Sequence, residues 1–257
     1  TKALETVRDD DRSADKKNAE LFETLAEIYK QRKQPDLAES NYLTSLKHQY
    51  NTAVKIKLGD VQLDSKKYGA ALNIFLQLLK SRLNNNQRVA IYIGLGVSNK
   101  GLNKYAEAIL NYNKALAISQ RKGWDDEVIL LNSKLATLLQ EEGKVADAEG
   151  YLDNSVQLAR KKSKKTSARQ NTVAADFYNK TNSYDKEIQL RKEALEDIEE
   201  MEQETNEAPI SVDDNILSAQ VQNYKIAKAF AAQDEYDEAI PYLKESIKEA
   251  ASKNDLI

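Results

Sequence analysis

Apolar and small residues recur at three- and four-residue intervals along most of the chain, most clearly between Val89 and Ala117. Leu95, Gly96 and Asn99 mark one amphipathic segment there, and Tyr105, Ala108, Tyr112, Ala115 and Leu116 mark a second. Between them Gly101-Leu102-Asn103-Lys104 is a short polar break, which predicts two helices folded back as a hairpin. Small side chains at Gly96 and Ala108 fit a close approach of the two helix axes, with Tyr112 and Leu116 filling the groove beside it.

The same spacing is found in five further places. Leu25-Ala26 with Ala38 and Tyr42, and Leu58-Gly59 with Ala71 and Phe75, come before this stretch. Leu135-Ala136 with Ala148 and Leu152, Ala174-Ala175 with Glu187 and Arg191, and Ile226-Ala227 with Ala239 and Leu243 come after it. The units are expected at about 19–51, 52–86, 89–122, 129–162, 168–201 and 220–253, with 1–18 a partial preceding helix and acidic linker. In the fifth unit Glu187 and Arg191 stand where a small and an aromatic residue are expected, so either the packing there is loose or the two side chains form an ion pair one helical turn apart. A loop containing Pro209 is expected between Asn206 and Asp214.

These residues resemble the tetratricopeptide repeat (TPR), a 34-residue helix–turn–helix with a small residue in the middle of each helix. The resemblance implies an all-α fold, an α-α superhelix (TPR-like solenoid) of about six helical hairpins. It also implies that the first helix of each hairpin lines a concave groove. Register then gives the groove residues: Glu23, Glu27 and Lys30; Asp60; Ile93, Val97 and Lys100; Thr137 and Gln140; Asp176, Asn179 and Lys180; Tyr224 and Lys228. Such a groove is acidic at one end, apolar in the middle and polar to basic at the other, which suits a peptide with a basic end and an apolar middle. Glu23 and Glu27 stand where carboxylate-binding co-chaperones carry Lys and Asn, so chaperone-tail binding is not expected.

Long, uneven repeats and ends that lack a capping element are similar to the TPR sensor regions of bacterial histidine kinases and transcription regulators, notably Bacteroidetes-like ones. That resemblance implies a non-catalytic protein–protein interaction scaffold in a signalling protein, with the periplasm favoured over the cytoplasm. The alternative reading is a structural module that self-associates through its terminal repeats, as a homodimer or larger assembly.

Composition narrows the chemistry. Eight glycines and three prolines in 257 residues are too few for the turns of an all-β fold. The net charge of −3 leaves no overall electrostatic footprint for nucleic acid. With no cysteine there is no thiolate nucleophile, thiolate metal site or disulfide. No apolar run is long enough to span a bilayer. His48 is the one histidine and has no Asp, Ser or Cys pattern around it, so it is expected to pack rather than react. Asp9, Asp11, Ser13, Asp15 and Glu20 have EF-hand spacing, but Ala14 takes the place of the turn glycine and the run is expected to be an acidic loop and first helical turn. Arg160 to Lys165 is a basic run without interleaved aromatics, expected to face a helix C-terminus rather than nucleic acid. No cofactor or metal is expected, and the anticipated partner is a peptide or protein.

Overall fold

Six helical hairpins account for nearly all of the described chain. The computed structural model describes residues 2–205 and 218–254, so the expected loop at Asn206–Asp214 lies outside the described residues. The twelve helices among them are α1 (Lys2–Gln31), α2 (Pro35–His48), α3 (Thr52–Asp64), α4 (Tyr68–Leu78), α5 (Asn85–Gly101), α6 (Tyr105–Lys122), α7 (Asp125–Glu141), α8 (Val145–Lys162), α9 (Lys164–Lys180), α10 (Tyr184–Thr205), α11 (Ala219–Ala231) and α12 (Tyr236–Asn254). Odd-numbered helices are the first of each hairpin and even-numbered ones the second. They form two compact units, residues 1–124 and 125–257, with three hairpins each.

Every hairpin turns in the same way. The residue five positions before the second-helix anchor is left-handed in all six: Lys33, Lys66, Asn103, Gly143, Asn182 and Asp234. In each turn the next residue's N–H reaches back five residues to a helix carbonyl, as in Gln34 to Tyr29, Lys67 to Gln62 and Lys104 to Asn99. This is the Schellman closure, which satisfies carbonyls that a helix end would otherwise leave unpaired. In three turns the side chain of the left-handed residue also accepts a tyrosine hydroxyl: Tyr105 to Asn103, Tyr184 to Asn182 and Tyr236 to Asp234. Gly101, expected in the polar break, is instead the last residue of α5, and its missing side chain makes room for the Tyr68 ring.

Glycine is also used for close helix approach. A Cβ added to Gly96 would lie 2.3 Å from the Tyr112 ring, as the small-residue spacing anticipates. Phe75 sits between two such sites, 2.6 Å from the Cβ position of Gly59 and 2.4 Å from that of Gly94. Its ring joins Ile56, Ala71, Leu78, Ile91 and Leu95 in one core that binds the second hairpin to the third.

The boundaries differ from the periodic reading where local chemistry decides them. Residues 1–18 were expected to be a partial helix and linker, but α1 runs unbroken from Lys2 to Gln31. That stretch contains neither glycine nor proline, and nothing in it stops a helix. The EF-hand-like run therefore lies on helical backbone rather than in a loop. α5 starts at Asn85 because Asn84 and Gln87 form a capping box. Ser163 likewise caps α9, so Lys164 and Lys165 of the basic run begin a helix rather than end one.

Candidate functional site

The expected groove residues lie on the first helices, and a register rule decides which of them are neutralised. Count from the apolar position that opens the small pair of each first helix (Leu25, Leu58, Leu95, Leu135, Ala174, Ile226). Two residues on stand Glu27, Asp60 and Asp176; one residue before stand Lys57, Lys134 and Lys225. In two places an acid of one first helix pairs with the lysine of the next: Glu27 with Lys57 at 2.7 Å, and Asp176 with Lys225 at 2.9 Å. Lys57 also reaches Glu23 at 2.9 Å, so the two glutamates share one ammonium. Burial works against the charge of Glu27, yet the Lys57 contact outweighs it and holds the carboxyl below its usual range.

Asp60 breaks the pattern. The position that would supply its lysine from α5 is Gly94, which must remain glycine because the Phe75 ring occupies the space a side chain would need. Burial then dominates, with Asp64 and Glu27 adding repulsion and Lys30 offsetting part of it, and the Asp60 carboxyl is pushed up to about 6. On the neighbouring α5, Ile93 and Val97 are half-buried, as is Lys100. The first unit thus presents a desolvated carboxylate without the cation found at its counterparts, and half-buried aliphatic side chains on its α5.

The second unit is more internally satisfied. Thr137 returns its hydroxyl to the Ser133 carbonyl, and the Gln140 amide donates to the Phe177 carbonyl at 2.9 Å, tying α7 to α9. Asp176 accepts from Arg191 at 2.6 Å as well as from Lys225, and burial of its carboxyl is outweighed by these cations, which hold it below the usual range. Asn179 donates to Glu187 at 2.8 Å. Of the two readings of Glu187 and Arg191 the ion pair holds, at 2.8 Å with both side chains buried, and Gln222 completes the network. Lys180 is exposed, and Lys228 lies over the exposed Tyr224 ring, 5.8 Å from its centroid. A cleft among α8, α9 and α10 is lined by Arg160, Tyr178 and Lys186, but Arg160 is paired with Glu193 and Lys186 with Glu149.

Lys57 and Lys225 are the residues that reading each helix separately misses. Their signal is present in the sequence, because aligning the six units puts both, together with Lys134, at one register position. His48 behaves as a packing residue: its ring stacks on Phe22 at 5.6 Å, and its Nδ1 lies 3.0 Å from Asp15. The basic run is used in ion pairs, Lys162 with Asp126 and Lys164 with Glu200 besides Arg160 with Glu193. No group of His, Cys, Asp or Glu among the described residues is arranged to hold a metal ion.

The repeated Schellman-closed hairpins, with first helices carrying the polar face, define a helical-repeat protein of the TPR-like class. Residues 89–122 and 223–253, within the third and sixth hairpins, match the model described as "Tetratricopeptide repeat". Among solved structures, BtubC (BKLC) from P. vanneervenii is similar with a TM-score of 0.61 and 16% identity, covering 96% of this chain and 92% of that one. A Rap protein in complex with Competence and Sporulation Factor has a TM-score of 0.60 and 14% identity, covering 93% and 76%. The STAND protein with a tetratricopeptide repeat sensor from Pyrococcus horikoshii has a TM-score of 0.65 and 13% identity, covering 92% of this chain but 37% of its own. At these identities the likeness is one of fold. No curated protein matches the chain in sequence.

Proposed function

We propose that the chain is a non-catalytic recognition module whose first unit binds a peptide or protein segment on its first helices. The observation that carries this is Asp60: the array's own lysine is absent there and the carboxylate is desolvated, while Ile93 and Val97 are half-buried on α5 of the same unit. A Lys or Arg of the bound segment takes the place of the missing lysine, and neighbouring aliphatic residues lie on Ile93 and Val97. The occupant therefore has a cation next to an apolar stretch, which supports the peptide class expected from the groove's charge order. The fold it shares with a factor-bound Rap protein and with part of a STAND protein that has a tetratricopeptide repeat sensor agrees with a regulatory setting, in which segment binding is passed to an output partner.

The test is a random-peptide display library selected on the chain, followed by titration of a selected peptide. The account expects Lys or Arg close to aliphatic residues in the selected sequences. Asp60→Asn should weaken binding about tenfold, the loss of about 1.4 kcal/mol, with helicity unchanged. Selection of acidic peptides, or equal affinity for Asp60→Asn, would refute it.

A further inference from the structure

The first and last hairpins expose the two halves of an interface that the chain uses repeatedly inside itself. Within each unit the second helix of one hairpin packs on the first helix of the next: α2 on α3, α4 on α5, α8 on α9 and α10 on α11. At the Leu25 position those receiving helices carry Leu58, Leu95, Ala174 and Ile226, all buried. Leu25 itself is exposed. One turn earlier Leu21 is 63% exposed, whereas its counterparts Val54 and Ile91 are buried. Leu21, Leu25 and Ile28 follow one face of α1 at helical spacing.

α12 shows the opposite half. Leu243 takes the register of Tyr42, Phe75, Leu152 and Arg191, which are buried, yet it is exposed. Ile247 is 67% exposed although its counterpart Leu195 packs in the core that joins α10 to α11. A further pair of positions specifies what covers these faces. Inside the second unit, Glu149 of α8 pairs with Lys186 of α10 across consecutive hairpins at 2.9 Å. The register equivalent of Glu149 on the last hairpin is Ile240, and that of Lys186 on the first hairpin is Leu37; both are exposed. An internal charge pair is thus replaced, at the two free faces, by two aliphatic residues that would meet only if α12 of one molecule packed on the first hairpin of another.

We propose that the chain assembles head to tail with a second copy of itself, the α12 face of one molecule covering α1 of the next in the register of the internal hairpin joints. The contact is heterologous, so each molecule keeps one free head and one free tail. A single joint of this kind is small, and exchange between free and joined molecules is expected. The inference does not depend on segment binding at Asp60, whose variants leave both faces intact.

The experiment is light scattering of the 257-residue chain across a concentration series reaching about 1 mM, where weak joints form. The wild type should grow in mass above its 29.0 kDa. A head variant, Leu21→Glu with Leu25→Glu, and a tail variant, Ile240→Glu with Ile247→Glu, should each remain monomeric with unchanged helicity. Mixed together they should form a 1:1 dimer and stop there, since one competent joint remains between them. A milder pair, Leu25→Gln and Ile247→Gln, is the control should the glutamates lower the melting temperature. A wild type that stays monomeric would overturn the proposal. So would a head or tail variant that still dimerises alone, or a mixture of well-folded variants that does not dimerise.

Discussion

Lys33 and Lys66 hold left-handed backbone at the hairpin turns, the conformation that Gly143 adopts at the same register without a Cβ penalty. Lys66→Gly should therefore stabilise the chain by about 1 kcal/mol, the left-handed penalty less the entropy cost of glycine. Thermal unfolding should show a rise in Tm of about 2 °C; a fall would mean that the turn is not closed as described. The turn residue was hard to find in the sequence because six different contexts fill it with Lys, Asn, Gly or Asp. Gly101 draws attention to the right turn, but for a packing reason rather than a conformational one. Asp60 was legible as a groove acid. What distinguishes it from Glu27 and Asp176 was not, because that depends on a Phe75 ring in another helix forcing glycine at position 94.

The same carboxylate has a stability signature. Its pKa is raised to about 6 in the folded chain from the ordinary carboxyl value of 3.8. The folded state therefore binds the proton more tightly, and stability falls as pH rises through that window. Below the unfolded value the stabilising contribution is fully present; above about 6 it has gone. Asp60→Asn should remove this dependence and leave the chain about 3 kcal/mol more stable than wild type at neutral pH. Denaturant unfolding of the two proteins between pH 4 and pH 7 measures the difference, and two parallel curves would contradict it. Glu27, Glu39 and Asp176 are shifted the other way, since cations outweigh their burial, so their stabilising contributions are lost on acidification in both proteins.

At the level of elements, the fifth hairpin replaces small-plus-aromatic packing with a buried ion pair. Arg191 is held by Glu187, Asp176 and Gln222, which joins α10 to α9 and to α11. Removing one partner strands a buried charge, so Arg191→Met should cost about 3–5 kcal/mol. Changing both, Glu187→Ala with Arg191→Tyr, restores the residue types of the other hairpins and should lose less than half as much. Chemical denaturation tests this ordering, and a double variant worse than the single one would contradict it. The pair was legible because two residues stood out against an otherwise regular register, whereas its links to α9 and α11 needed the fold. α1 shows the reverse case. Charge-rich sequence read as a linker forms a continuous helix, because charged residues without glycine or proline do not end one.

For the whole molecule, the hairpins were visible from periodicity because every hairpin must bury the same stripe against its neighbour. The division at Trp124 and Asp125 into two units was not, as no composition shift marks it. Within the second unit most groove polars are committed to neighbouring helices, and within the first a carboxylate is left for something else. That contrast is why recognition is proposed for the first unit. The measurement that tests it most directly is the affinity of a selected cationic–aliphatic peptide as a function of pH. Binding to the wild type should weaken as pH falls through about 6, as Asp60 takes up its proton, while binding to Asp60→Asn should be weaker and change little there. Affinity that is flat in the wild type, or that tightens on acidification, would contradict the account.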